Sequence, residues 1–138
     1  MREISAKAIE DKVRELCIQA NRHLPADICR RVEEAHRQET QPLAQNIMQD
    51  LLDNIDAAEA MKLPVCQDTG MAVVFVRLGQ EVHITGGLLE EAVNRGVSRG
   101  YLDGRLRCSV VGDPLRRVNT GDNTPAVLHL TLTAGDRL

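Results

Sequence analysis

The sequence predicts an α+β fold, with a helical segment over residues 3–62 followed by a mixed strand and helix portion over residues 63–138. Two observations lead to this prediction. The residues before Gly70 include no glycine, and their apolar side chains recur with helical spacing. After Gly70 the apolar residues fall into short runs of the kind that form strands. With 138 residues, the chain is long enough to bury a core as a single domain, residues 1–138.

The first half of the chain predicts three helices. Apolar residues recur on one face from Ile4 to Ala20, so the first helix is expected to end near Asn21–His23. Pro25 suits the first turn of a second helix, and Gln41-Pro42 opens a third. Apolar residues of the third helix follow an i+4 repeat: Leu43, Ile47, Leu51 and Ile55. Because the joints are short, we expect a small bundle or a helical layer against other elements.

The second half of the chain predicts strands around one helix. The apolar run Met71–Leu78 has the length of a buried strand, and Glu81–Thr85 alternates like a half-buried one. Residues from Leu88 to about Gly100 return to helical spacing. Two further strands are predicted at Arg107–Val111 and Val127–Thr133. The second is expected to leave an exposed sheet edge, through which two copies of the chain would pair as a symmetric dimer.

The composition argues against nucleic-acid and membrane partners. The chain has one Tyr, one Phe and no Trp, which leaves few side chains on which bases could stack. Its 17 basic and 20 acidic residues form no basic block. The longest apolar run, near residues 71–76, is far shorter than a membrane span, and the first residues carry charges where a signal peptide would be apolar. We therefore expect a cytoplasmic protein.

Four cysteines are spread along the chain without a Cys-x-x-Cys pair, so neither a disulfide scaffold nor a self-contained zinc site is expected. Cys17 and Cys29 lie on predicted apolar helix faces, where they act as small hydrophobic residues. Cys108 lies in a predicted strand and is interpreted as structural. Cys66 stands in a predicted loop that begins at Pro64. It is either a partly buried loop thiol or a metal ligand, because thiolates are the usual ligands of iron–sulfur clusters.

Polar residues in the two halves of the chain could contact a substrate. Gln67 and Asp68 directly follow the loop cysteine, but Asp-Thr-Gly is also common turn chemistry, so both interpretations stay open. Arg107 is either a surface charge or, if it faces a cleft, a fork that clamps a carboxylate. The polar loop over residues 119–124 either stabilises a turn through side-chain-to-backbone hydrogen bonds or presents polar groups to a ligand. Its candidate residues are Asn119, Thr120 and Asn123.

Three motifs stand out by their order and spacing. They are Pro64-Val65-Cys66-Gln67-Asp68-Thr69-Gly70, Leu106-Arg107-Cys108-Ser109, and the run from Asp113-Pro114-Leu115 to Asn119-Thr120-Gly121-Asp122-Asn123-Thr124-Pro125-Ala126. Together they resemble class I, iron–sulfur fumarate hydratases: the α subunit of the two-subunit form, or the N-terminal domain of the fused form. The L-tartrate dehydratase α subunit shares the Cys-Gln-Asp-Thr-Gly block. Its second block is less like the one in this chain, so fumarase is the better match.

The resemblance implies reversible hydration of fumarate to L-malate, a reaction of the tricarboxylic acid cycle, on a [4Fe–4S] cluster. In this family three cysteines hold the cluster, and the open iron acts as a Lewis acid toward the substrate. By this resemblance Cys66 is a cluster ligand and Asp68 is catalytic. The residues expected to bind the substrate are Gln67, Asp68, Arg107, Asn119 and Thr120. Of these, Arg107 would bind a substrate carboxylate.

The resemblance also implies that the chain corresponds to the N-terminal portion of the α part. In the family that part continues to a glycine-rich segment and to the other two cluster cysteines, and a β subunit or C-terminal catalytic domain supplies further groups. One thiolate cannot hold the cluster, so we expect this chain alone to lack both the cluster and activity. Two alternatives stay open: a portion of an L-tartrate dehydratase α subunit, and a non-catalytic subunit-assembly module.

Overall fold

The computed structural model describes residues 1–138. The chain divides into two units, a mixed unit of residues 1–18 and 68–138 and a helical unit of residues 19–67. The helices are α1 (Ala6–Arg22), α2 (Ala26–Gln38), α3 (Pro42–Met61) and α4 (Leu89–Asp103), and the strands are β1 (Arg2–Ser5), β2 (Val73–Gly79), β3 (Val82–Thr85) and β4 (Val127–Thr133). The predicted α+β class is confirmed, while the single domain stays a prediction. None of the helices combines the length and apolar character that a membrane crossing requires.

In the helical unit, α2 and α3 pack on each other. Pro25 precedes α2 and Pro42 opens α3, as predicted, because a proline at a helix start gives up no hydrogen bond. Lys62 ends α3 in the left-handed conformation, with φ 56°. Ala58 is the only buried residue of α3, and α2 has none. Three residues of the i+4 repeat are exposed: Leu43, Ile47 and Leu51. The i+4 repeat therefore predicts the helix correctly, but its apolar residues do not form a buried face.

The mixed unit contains two short parallel sheets. In the first, β1 pairs with β3. In the second, β2 pairs with β4 in a register that runs from Val73 opposite Val127 to Gly79 opposite Thr133. The strands predicted from the sequence at β2, β3 and β4 are confirmed to within two residues at their starts and ends, and α4 matches its predicted start but extends to Asp103. Each sheet has two strands, so β4 pairs on one edge alone.

Strand β2 is not buried, contrary to the prediction. Val74 and Leu128 pack against the core of the mixed unit. Phe75, which points the other way, is 75% exposed. It stacks on His129, with 4.8 Å between the ring centroids. The prediction was wrong because the core covers one face of this sheet, and successive side chains of a strand point to opposite faces.

The start of the helical region is also corrected by the structure. Arg2–Ser5 form strand β1, although the sequence analysis placed residues from 3 onward in a helical segment. Ile4 is the one apolar residue among these four, so they show neither a strand nor a helix period. Their conformation is decided by pairing with β3, about 80 residues later in the chain.

The strand predicted at Arg107–Val111 does not form, and one residue of the segment makes an isolated antiparallel bridge. The N–H groups of Ser109 and Val110 instead donate hydrogen bonds to the side-chain Oδ1 of Asn123, at 2.6 and 3.0 Å. A strand needs its backbone donors for a neighbouring strand. Here a single side chain has taken two of them.

The core of the mixed unit lies where α4 packs closely on α1. A Cβ atom added to Gly96 would lie 2.6 Å from the backbone oxygen of Glu10, and one added to Gly100 would lie 2.7 Å from Cβ of Cys17. Glycine at these two positions therefore lets the helix backbones approach each other. The close contact buries the apolar residues of both helices, namely Ala6, Ile9, Val13, Cys17, Ala92, Val93, Val97 and Tyr101.

A cluster of charges borders this helix pair. The carboxylate of Glu10, nearly buried, accepts hydrogen bonds from Lys7 at 2.9 Å, from Arg99 at 2.6 Å and from Arg95 at 3.0 Å. These three cations, Lys7 foremost, lower the pKa of Glu10 to about 2. Arg14 on α1 and Asp103 on α4 make a further ion pair of 2.6 Å. The ion pairs of Glu10 and of Arg14 therefore connect α1 to α4 and stabilise their relative position.

Candidate functional site

Three segments that are distant in sequence meet around the side chain of Asn123. Its Oδ1 accepts the two hydrogen bonds from Ser109 and Val110, and its Nδ2 donates a third to the carbonyl oxygen of Gly70 at 3.0 Å. The side chain is fully buried. The sequence analysis allowed Asn123 a role in stabilising its own turn. The structure shows that it instead connects its loop to the segments around residues 70 and 109.

The segment that carries Asp68 is held by two further hydrogen bonds. The hydroxyl of Thr69 donates to the carbonyl oxygen of Arg107 at 2.8 Å. The hydroxyl of Tyr101 donates to the carbonyl oxygen of Thr69 at 2.9 Å. The Asp68 carboxylate itself accepts from the N–H of Gly70 at 3.1 Å, which is the predicted turn contact. The backbone of residues 68–70 is therefore fixed from α4 and from the Arg107 segment.

The loop over residues 119–124 is built by side-chain-to-backbone hydrogen bonds. Asn119 donates from Nδ2 to the carbonyl oxygen of Cys108 at 2.8 Å and accepts at Oδ1 from the N–H of Gly121 at 2.7 Å. The N–H of Thr120 donates to the carbonyl oxygen of Val110 at 3.0 Å. These contacts show the turn-stabilising role that the sequence left open for Asn119. Contact of Asn119 and Thr120 with a substrate stays a prediction.

Arg107 presents a charge to solvent from a fixed backbone. Its side chain is exposed, and its guanidinium takes part in none of the ion pairs of the chain. Asp68 is exposed as well. An arginine whose backbone is ordered and whose fork is not paired is available to bind a carboxylate with two parallel hydrogen bonds.

Cys66 and Gln67 are the last two residues of the helical unit, and both are exposed in a bend after α3. The preceding residue, Val65, is held at both backbone groups. Its N–H donates to the carbonyl oxygen of Asn21 at 2.9 Å, and its carbonyl oxygen accepts from Nδ2 of Asn54 at 2.8 Å. The thiol therefore follows a well-anchored residue and faces solvent.

The cysteines provide a test of whether the chain can hold an iron–sulfur cluster. Cys66 is the one exposed cysteine, and none of the four forms a disulfide. Burial raises the pKa of Cys17 to about 11, and burial together with Asp122 raises the pKa of Cys108. No three His, Cys, Asp or Glu side chains in the chain are arranged to hold a metal ion. The residues present fit one ligand position and not a full ligand set, so we derive no reaction step through a cluster.

A cavity of about 330 Å³ lies between α4 and residues 122–124, next to Glu10 of α1. Its lining includes Arg95, Arg99 and Asp122 but none of the predicted site residues. Burial would raise the pKa of Asp122, but hydrogen bonds from Thr124, Ser98 and Thr120 outweigh this effect and lower it. The two arginines are already paired with Glu10. The cavity is therefore a neighbour of the motif loops and not the candidate site.

The three motif segments thus form a polar candidate site, which is held together by their hydrogen bonds to one another. Comparison with known proteins gives its class. Residues 10–138 match the family described as fumarate hydratase (Fumerase), which is nearly the whole chain. The chain belongs to this family.

Several relatives carry names from two related activities. The class I, aerobic fumarate hydratase of Escherichia coli strain K12 is 44% identical over 87 residues, which are 62% of this chain and 16% of that protein. A Methanocaldococcus jannaschii protein, provisionally named L(+)-tartrate dehydratase subunit alpha, is 32% identical over 124 residues, which are 86% of this chain and 43% of that protein. The L(+)-tartrate dehydratase subunit alpha of Escherichia coli K12 is 29% identical over 73% of this chain and 33% of its own length. The chain therefore spans less than half the length of the relatives it matches.

Proposed function

We propose that the chain is a portion of a hydro-lyase that reversibly hydrates fumarate to L-malate with a [4Fe–4S] cluster. Family membership supports the reaction class. The observation that carries the proposal within the chain is the convergence of the motif segments on Asn123, which places Asp68 and the unpaired Arg107 on two segments bonded to each other. A dicarboxylate needs such a cation for one of its carboxylates, and the hydroxyl group of malate needs a polar partner.

Each site residue has a proposed role. Arg107 binds one carboxylate of fumarate or malate as a bidentate fork. Asp68, as the catalytic residue of this chain, hydrogen-bonds the hydroxyl that is added or removed, and Gln67 binds the substrate beside it. Asn119 and Thr120 line the pocket. Cys66 is the ligand that this chain offers to the cluster, which when bound supplies a Lewis acid for the hydroxyl.

The proposal includes a larger assembly. A β subunit or C-terminal catalytic domain supplies further groups, and the relatives named subunit alpha support a partner of this kind. We propose a homo-oligomer in the cytoplasm, with no nucleic-acid or membrane partner. The isolated 138-residue chain is expected to be inactive.

The second candidate is that the chain is a portion of an L-tartrate dehydratase α subunit. The Methanocaldococcus relative matches 86% of the chain, a longer stretch than the 62% matched by the Escherichia coli fumarase. The fumarase match has the higher identity, 44% against 32%, and we therefore keep fumarate as the first substrate. A non-catalytic assembly module remains the third candidate.

Anaerobic reconstitution with iron and sulfide tests the proposal. We would follow the visible absorption of a cluster, and the turnover of fumarate and of L-tartrate, for the 138-residue chain and for the complete enzyme with its β partner. We expect a cluster and fumarate hydration in the complete enzyme alone, both lost on Cys66→Ser and both kept in the control Cys29→Ser. Preference for tartrate would favour the second candidate. No cluster in either sample would favour the assembly module.

A further inference from the structure

Asn123 makes more hydrogen bonds to distant backbone than any site residue named above. A side-chain amide has two donors and two acceptor positions, and three of these four are bonded here to backbone groups of other segments. The amide is fully buried, so water cannot replace a bond that is lost. Any other arrangement of the three segments would leave buried polar groups without hydrogen bonds, and this energetic cost favours the observed one.

One path leads from Asn123 to Asp68. The Nδ2 of Asn123 donates to the carbonyl oxygen of Gly70, and the N–H of the same glycine donates to Oδ1 of Asp68. Gly70 adopts φ 56°, a conformation open to glycine at little cost. The carbonyl and the N–H of Gly70 belong to adjacent peptide units that meet at its Cα atom. Holding the carbonyl therefore limits rotation about Gly70 and helps to place the N–H group that orients the Asp68 carboxylate.

A second path leads from Asn123 to Arg107. Oδ1 of Asn123 accepts from Ser109 and Val110, two and three residues after Arg107. The carbonyl oxygen of Arg107 itself accepts from Thr69, next to Asp68. Thr69 thus holds the backbone of Arg107 itself, and Asn123 holds the residues that follow it. The Arg107 guanidinium is free to reach a ligand.

We propose that Asn123 is a positioning residue that sets the spacing between Asp68 and Arg107 in the substrate site. This inference rests on the proposed function. Asparagine suits the position because it tolerates φ 61° and supplies both a donor and an acceptor. Aspartate would keep the size and the acceptor but lose the donor to Gly70. Glycine would keep the backbone conformation and lose the whole amide.

Binding of succinate, an unreactive dicarboxylate, to the complete enzyme tests the proposal. Calorimetric Kd values would be measured for the wild type, Asn123→Asp, Asn123→Gly, Arg107→Ala and the double variant Arg107→Ala/Asn123→Asp. Asn94→Ala is the matched control, because its amide also accepts from a backbone N–H, that of Ala126, at 2.9 Å, outside the three-segment contact. Circular dichroism before each titration confirms the fold.

We expect each Asn123 variant to raise the Kd roughly 10- to 100-fold, because a displaced Arg107 loses a charge-assisted hydrogen bond to the ligand. Asn94→Ala should bind succinate like the wild type. The double variant should bind no more weakly than Arg107→Ala, because Asn123 acts on succinate through Arg107. A merely structural role would lower the folded fraction without this coupling.

Two results would overturn the inference while leaving the proposed function standing: wild-type affinity in the folded Asn123 variants, or an Asn123 effect that adds in full to that of Arg107→Ala. If Asn123→Asp fails to fold, Asn123→Gly decides alone, since it adds no buried charge. Absence of succinate binding by the wild-type enzyme would overturn the inference and the proposed dicarboxylate site together.

Discussion

Tyr101 and Thr69 are joined by a hydrogen bond from the phenol hydroxyl to the backbone carbonyl oxygen, 2.9 Å long. Tyr101 is the one tyrosine of the chain and is 2% exposed. The bond connects α4, which forms the core, to the loop that carries Asp68. A tyrosine buried to this extent normally has such a partner, since an unpaired hydroxyl or carbonyl in the core is costly.

Tyr101→Phe should therefore lower the free energy of unfolding by about 1–2 kcal/mol, because the carbonyl of Thr69 loses its buried donor. Denaturant unfolding followed by circular dichroism measures this. Amide hydrogen exchange should also become faster at Gly70. Unchanged stability and unchanged exchange would show that the bond does not hold the loop.

Gly100→Ala should be destabilising although alanine favours helices. The added Cβ would lie 2.7 Å from Cβ of Cys17 and 3.1 Å from the backbone oxygen of Arg14. Forcing α1 and α4 apart should cost about 1–3 kcal/mol of unfolding free energy, as overpacking does in other cores. Gly112→Ala is the control, because its nearest atom would lie at 3.8 Å. Equal thermal midpoints for the two variants would contradict the close helix contact.

Acid should weaken the α1–α4 contact through Glu10. Its pKa falls from 4.5 to about 2 on folding, owing to Lys7, Arg99 and Arg95. The folded state thus favours the carboxylate, so its contribution to stability is complete above pH 4.5 and is lost as the pH falls toward 2. Glu10→Gln should flatten the fall of the thermal midpoint in this window. As a control, Glu59→Gln changes an exposed carboxylate and should leave the acid-induced decrease of the thermal midpoint as it is in the wild type. If Glu10→Gln showed the same decrease as the wild type, Glu10 would not be the group responsible.

Arg107→Lys should weaken dicarboxylate binding in the complete enzyme. Lysine keeps the charge but cannot make two parallel hydrogen bonds to one carboxylate. Loss of a charge-assisted bond corresponds to roughly a tenfold or greater rise in KM for fumarate. Arg105→Lys, a neighbouring exposed arginine, serves as the control. Equal KM values for both variants would remove Arg107 from the site.

The free edge of β4 should make the 138-residue chain self-associate. The strand pairs with β2 alone and contains no charged residue, and charges are a common protection of strand edges. Light scattering over a concentration series should show dimers that Leu132→Lys weakens. Leu115→Lys, at an exposed loop residue outside the strands, should not do so. A monomer at high micromolar concentration would contradict this expectation.

Periodicity was enough to predict the four helices and the strands β2, β3 and β4, because each is long enough to show its repeat. It missed β1 and wrongly predicted a strand at Arg107–Val111, because partners distant in sequence decide the conformation of both segments. It also gave no sign that Gly96 and Gly100 are needed for helix contact. Such a need depends on which helices meet, and that is a property of the fold.

For the site, the sequence located the segments but not their connection. Asn123 was placed in a turn, since a polar side chain in a polar loop is normally exposed. Its burial became visible with the structure, as did the contacts of Thr69 and Tyr101. The motif itself was the available signal: an asparagine within Asp-Asn-Thr-Pro can bond backbone. Which backbone it bonds follows from long-range folding.

The contacts of Asn123 reach main-chain atoms alone, those of Gly70, Ser109 and Val110. Main-chain atoms are common to all residue types, so side chains around the amide can be exchanged during evolution while the frame keeps its shape. Under the proposed function, a few substitutions in the motif segments would then change which dicarboxylate binds while the main-chain frame stays the same.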